Sequence, residues 1–270
     1  MKASSTTSRN YLKDISKNMA LVKKKILPIT GLEIGGIPAS ILVCGDPARA
    51  TKTASQMQNA ELLSEHREYR VYRGLYDGLP VAVCSHGVGA AGAAIAFEEL
   101  IAAGARRLIR IGTCGGLQPH VRDGQLVIAT AAVNTTGYGR QVAPAGYPAL
   151  ADWKLVQALM LAAGAGGPAH TAGIVLTTDH FYGGVETFET PHYPTMAAAN
   201  VLAVEMECAA LFVVGSLRGV QTAAILAVDG NVLEEGESME AYDPHRLIVQ
   251  GAVEAEIEIA LKALVMVSDE

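Results

Sequence analysis

Short apolar runs that stop at glycine or a charged residue, each followed by a helical pattern, recur through this chain. That alternation is the sequence mark of an α/β fold. Ala39–Cys44 reads as a buried strand ending at the turn Gly45-Asp46-Pro47, and Pro47 suits the first turn of a helix over Ala48–Met57. Tyr69–Tyr76 and Pro80–Ser85 flank Asp77-Gly78, a strong hairpin turn. Ala90–Ala103 follows as a buried Ala-rich helix stopped by Gly104, then strands over Leu108–Ile111 and Gln125–Ala132. Asp152–Ala163 is a surface helix with a flexible link at Gly164–Pro168, and Gly173–Thr177 and Val201–Met206 are strands. A helix from Glu207 to about Leu217, a strand over Gln221–Val228 and a long amphipathic helix over Pro244–Val267 complete the pattern. No repeat and no boundary divides the body into two cores.

Composition bounds the function classes. With 270 residues, half of them hydrophobic, the chain supports a sizeable core. A net charge of −6 and the lack of a dense basic block in the body argue against a nucleic-acid partner. The apolar stretches are broken by Glu, Arg or Asp, so none reads as a membrane span. The four cysteines form no C-x-x-C pair and read as buried thiols, and the seven histidines show no metal-ligand spacing. No metal is expected. Residues 1–28 are polar, with Lys23-Lys24-Lys25, and lack the apolar core of a signal peptide. They read as an extension, with Leu12, Ile15, Met19 and Val22 able to line one side of a short helix, and the location as cytoplasmic.

The chemistry-bearing residues form an ordered set. Arg49 follows Gly45-Asp46-Pro47, Arg67 lies in His66-Arg67-Glu68-Tyr69, and Arg110 opens Arg110-Ile111-Gly112-Thr113-Cys114-Gly115. Guanidinium groups beside exposed backbone N–H groups suit a small oxyanion such as phosphate. Downstream, Glu205-Met206-Glu207 puts carboxylates at the end of an apolar run, which suits a diol, and Asp229-Gly230 puts an acid at a strand end. In open α/β sheets, ligands gather beyond the carboxyl ends of strands, where most of these residues fall. The Arg67 segment follows a turn-rich stretch, away from those ends. Each position also has a bland reading. Arg67 can pair with Glu65 or Glu68 on the surface, Met206 and Phe181 can be core, and Asp229 can cap a turn. Glu205 and Glu207 share a side if the strand persists and diverge if a helix starts between them, leaving one as a structural hydrogen-bonding group. Gly87-x-Gly89-x-x-Gly92 imitates a dinucleotide fingerprint, but no acidic strand end follows about twenty residues later. Its glycines read as permitting close backbone approach.

In the order and spacing of these motifs, with Ser85-His86-Gly87-Val88-Gly89 and Phe97-Glu98-Glu99-Leu100, the chain resembles the nucleoside phosphorylases that include hexameric purine nucleoside phosphorylases and uridine phosphorylases. The similarity runs from about Ile37 to the C-terminal helix and is strongest to the purine enzymes of protozoan parasites. It implies a single-domain three-layer α/β/α architecture over residues 29–270, with a central mixed, strongly twisted sheet flanked by helices. It implies phosphate binding by Gly45, Arg49, Arg110 and Thr113, with Arg67 entering from a neighbouring subunit of a dimer-based hexamer. Glu207, beside Glu205, would take the ribose hydroxyls, Met206 the sugar and Phe181 the base. Asp229 would be the acid toward purine N7. Inorganic phosphate would be a co-substrate and no cofactor would be needed. The family's N-terminal histidine for the 5′-hydroxyl is absent: its place falls near Ile29, and no histidine precedes His66. A purine nucleoside is the expected substrate, because His180-Phe181-Tyr182-Gly183-Gly184 lacks the Gln-x-Arg element of uridine phosphorylases. Uridine, 5′-methylthioadenosine, hydrolysis instead of phosphorolysis, and binding without turnover are the rival readings.

Overall fold

The computed structural model describes residues 26–234 and 242–268. The helix expected around Leu12–Val22 lies outside them. Ile26 bridges to Glu33, and Leu27 is buried.

Strand β1 (Ser40–Cys44) is fully apolar in its surroundings because it sits mid-sheet between two parallel neighbours, β4 (Leu79–Ser85) and β5 (Arg107–Gly116). Helix α1 (Pro47–Ala54) follows, with the Asp46 carboxylate accepting from the Ala48 N–H at its start. Strands β2 (Gln58–His66), β3 (Tyr69–Tyr76) and β4 form an antiparallel meander. The β3–β4 turn holds Asp77 and Gly78 at φ 47° and 80°, the left-handed pair that Asp-Gly supplies in a tight hairpin. Helix α2 (Ala90–Ala103) runs from Gly89 to Gly104.

The second half contains β6 (Leu126–Asn134), α3 (Gly137–Val142), the two-residue β7 (Ala149–Leu150), α4 (Trp153–Gly164) and β8 (His170–Thr177). It continues through α5 (Tyr193–Ala198), β9 (Ala203–Glu205), α6 (Cys208–Arg218), β10 (Gln221–Asn231) and α7 (Leu247–Met266). β10 pairs with both β5 and β6, so β5, β10, β6, β8 and β9 close into a ring while β1, β4, β3 and β2 extend from it as an open sheet. Two apolar clusters cover the two faces. One is built with α2 and α6, the other with α1, α4 and α7, giving the expected three layers.

Four differences from the sequence reading have physical causes. The stretch before Arg67 is strand β2, nine residues long but mostly exposed at the sheet edge, so it carries no apolar signature. β5 does not stop at Ile111: its glycine-rich half stays paired with β10 through Gly116, so Gly112 and Thr113 lie within a strand and not beyond its end. The Arg67 turn lies at the same end of the sheet as Gly45, since Val71 pairs with Cys84 and Cys44 with Ser85. The short elements α3, β7 and α5 were not visible as periodic patterns.

Candidate active site

The carboxyl ends of β1 and β4, the second half of β5 and the end of β10 border one cavity of about 740 Å³. This size is ample for a small-molecule site. β9 runs antiparallel to β5, with Val204 opposite Gly115, and so delivers Glu205 to the same place from the far side. The cavity is lined by Gly45, Arg49, Arg110, Thr113, Glu205 and Glu207, and on its other wall by Phe181, Met206 and Asp229. Of the residues singled out in the sequence, Arg67 alone is elsewhere: it is exposed at the β2–β3 turn with φ 55°, outside the cavity of its own chain.

Arg110 is the centre of the charged floor. Its Nε lies 3.3 Å from Glu205 Oε2, Nη2 lies 2.5 Å from Glu207 Oε2, and Nη1 points to His86 Nε2 at 3.4 Å. Burial alone would make the guanidinium easier to deprotonate, but Glu207 and Glu205 beside it more than offset that, and it stays charged. His86 is buried and held neutral, its Nδ1–H donating to the Gly87 carbonyl, which leaves Nε2 as an acceptor for Arg110. The guanidinium folds back over Gly112, where any Cβ would lie 2.7 Å from Cζ.

The two glutamates differ in role because the chain changes from strand to helix between them. Glu205 ends β9, and its carboxylate accepts from the Thr177 hydroxyl at 2.6 Å and from the N–H groups of Glu207 and Cys208 at 2.8–3.0 Å. It thereby satisfies the free N–H groups opening α6. Glu207 turns instead toward α2, accepting from the Gly89 N–H at 2.6 Å. Burial pushes its pKa upward, against the pull of Arg110. Gly89 can offer that N–H because it adopts φ 94°. The neighbouring Gly87, at φ 73°, has Glu68 Cγ where a Cβ would be, so these glycines permit close packing as expected.

Asp229 owes its orientation to a β-bulge. In the β10–β5 ladder Val228 pairs with Cys114 and Gly230 with Gly115, leaving Asp229 as the extra residue. Such a bulge re-aims one side chain, here into the cavity. Burial raises its pKa, while the hydroxyls of Tyr242 and Thr113 pull it back down; the Tyr242 hydroxyl donates to Oδ2 at 2.7 Å. Thr113 thus faces Asp229 in the cavity that Arg49 and Arg110 also line. Tyr242 also meets Phe181 edge to face, with ring centroids 5.9 Å apart. Nothing in its sequence context marked Tyr242. The ring of His66 packs against Gly31, close to the position counted for the absent N-terminal histidine.

Arg49 is held more loosely. Its Nη1 donates to the Ile111 carbonyl at 3.3 Å and lies 3.4 Å from Glu256 Oε1 on α7. Glu256 occupies the apolar stripe of α7 formed with Ala252 and Ala260, and an acid at that helical spacing was a readable signal that the sequence analysis passed over.

The sequence profile of the phosphorylase superfamily matches residues 40–265, and the chain belongs to that family. It is 37% identical over 242 residues to a uridine phosphorylase of Treponema pallidum, covering 87% of this chain and 93% of that one. It is 32% identical over 237 residues to a guanosine phosphorylase of Halorubrum lacusprofundi, covering 86% and 95%. A crystal structure of purine nucleoside phosphorylase from Toxoplasma gondii, in complex with immucillin-H, superimposes with a TM-score of 0.82 at 35% identity, covering 89% of this chain and 96% of that one. The chain is therefore a nucleoside phosphorylase of the α/β class.

Proposed function

We propose that this enzyme cleaves purine nucleosides of the inosine and guanosine type with phosphate, giving free base and ribose 1-phosphate. The observation that carries the reading is Asp229, lifted by its bulge into the cavity that Arg49 and Arg110 border. An acid there can protonate a purine at N7, an atom that a pyrimidine lacks. The aromatic wall, Phe181 with Tyr242, offers a face for a base, and among the described residues that wall, with Tyr193, Val204, Met206 and Val232, carries no arginine or glutamine for a uracil edge.

The chemistry follows from charge. Breaking the glycosidic bond builds positive charge on the sugar and negative charge on the base. Phosphate held by Arg49, Gly45 and Thr113 stabilises the cationic sugar and attacks C1′, while Arg110 and Glu207 align phosphate and the ribose hydroxyls. Asp229 donates its proton to the departing base, and its raised pKa favours the donor form. The residues ask for no cofactor beyond phosphate. Arg67, outside its own cavity, would complete the site of a neighbouring copy in a dimer-based hexamer. No helix among the described residues is long and apolar enough to cross a membrane.

Uridine is the second reading, favoured by the identity to the Treponema pallidum enzyme. Turnover of inosine, guanosine, adenosine, uridine and 5′-methylthioadenosine, each with and without phosphate, decides between them. Inosine or guanosine should react fastest, with ribose 1-phosphate as product. Preference for uridine would overturn the purine assignment, and equal base release without phosphate, yielding free ribose, would overturn phosphorolysis.

A further inference from the structure

Glu256 is a carboxyl group that the reaction above does not use. Its side chain is fully buried on α7; the backbone N–H groups of Ala227 and Gly112 face it, but neither oxygen closes a hydrogen bond of good geometry. Its nearest charged partner is Arg49, at 3.4 Å, outside good hydrogen-bond geometry. A buried carboxylate left in this condition is costly unless it is neutral or its partner stays free to pair with it.

The charges around the cavity make this position consequential. Arg110 already serves two carboxylates, Glu205 and Glu207. Arg49 is thus the cation with charge to offer an incoming oxyanion, and among the described residues its only carboxylate partner is Glu256. An ionised Glu256 would cancel that charge, and a protonated one would release it. We propose that Glu256 is a proton-linked counter-ion of Arg49: binding of a phosphate-like dianion is accompanied by uptake of one proton from water onto the Glu256 carboxylate. The inference rests on the reading of Arg49 as a phosphate ligand.

Glu207 and Asp229 are also raised by burial and also feel Arg49, but both are unchanged in a Glu256 variant, so comparison of the two proteins isolates Glu256. Around Glu256, β5 brings Arg110 and Cys114, β1 brings Cys44, and β10 brings Asp229. The two thiols are buried and pushed upward, Cys44 to about 12, so they stay protonated through the neutral range. The charged residue of α4 is Lys154, at its exposed start. On α7 itself Glu254 pairs with Lys52 of α1 and Glu258 with Lys262, all on the outer side. Burial raises Glu256 to about 8, against the pull of Arg49 and Arg110, so it is poised where a nearby anion tips it to the neutral form.

Sulfate is the suitable probe, because it is a dianion that does not titrate in this range. Its dissociation constant, measured by calorimetry and as competitive inhibition against phosphate, should rise in the wild-type protein by up to tenfold per pH unit above about pH 8. In Glu256→Gln it should be flat with pH, and the KM for phosphate should lose the same component while kcat near pH 7 is retained. A residue that merely filled space would alter stability without changing the pH slope. Equal slopes in the two proteins would overturn the proposal. Should the variant fail to fold, sulfate titrations of the wild type in two buffers of different ionisation enthalpy still test it: uptake approaching one proton per sulfate near pH 8.5 is expected, and none refutes it. Phosphate-dependent turnover is read separately, so loss of the phosphorylase reading is distinguishable from loss of this one.

Discussion

Gly112→Ala isolates the geometry of the Arg110 cluster better than any change to a charged group. Gly112 lies in strand β5 with no left-handed backbone angle, so alanine meets no conformational objection there. Its methyl, however, would lie 2.7 Å from Arg110 Cζ and 2.8 and 2.9 Å from the two terminal nitrogens. Nonbonded carbon contacts settle near 3.5–4.0 Å, so the guanidinium must retreat by about 1 Å. A free surface arginine would move at little cost. This one is fixed between Glu205, Glu207 and His86, and the retreat disturbs all three contacts. A misplacement of about 1 Å in a positioning group costs about 10²-fold in rate, or about 2.7 kcal/mol at 1.36 kcal/mol per decade. Overpacking should also destabilise the fold by about 1–3 kcal/mol. The assay is the initial rate of inosine phosphorolysis across a range of phosphate concentrations, with thermal unfolding in parallel. Gly251→Ala, in an exposed position of α7 with nothing within 4 Å of the added carbon, is the control and should leave turnover unchanged. Wild-type kcat/KM in Gly112→Ala would refute the claim that Arg110 is rigidly held and that its position matters.

Asp229→Asn should slow purine nucleoside turnover by about 10²–10⁴-fold while leaving phosphate affinity nearly intact, as measured by steady-state kinetics. Tyr242→Phe removes a hydrogen bond that favours ionised Asp229, so the Asp229 pKa should rise further. Because the acid works protonated, activity is lost as pH rises through that pKa, and the alkaline limb of the kcat profile should move to higher pH. A mixture of Arg67→Ala and Asp229→Asn chains, allowed to exchange subunits, should regain part of the activity that each lacks; no recovery despite demonstrated exchange would place Arg67 outside the partner's site.

The α/β class was legible in the sequence because it depends on local periodicity: a buried parallel strand must be a continuous apolar run, and a helix beside it must repeat its apolar face every three to four residues. The hairpin at Asp77-Gly78 was legible for the same reason, since few residue pairs tolerate those backbone angles. The positions of Gly45, Arg49, Arg110, Glu207 and Asp229 on one cavity were anticipated from strand ends. Strand β2 was not, because an exposed edge strand has no apolar face to display. What each site group does was decided only in three dimensions. The division of labour between Glu205 and Glu207 depends on where β9 gives way to α6. The aim of Asp229 depends on a bulge that exists only through pairing with β5, and Tyr242 reaches it from 13 residues further along the chain. Glu256 carries the physical reason most plainly. On its helix it is one polar residue in an apolar stripe, and its charge acquires meaning only when α7 packs against the sheet and sets it beneath Arg49.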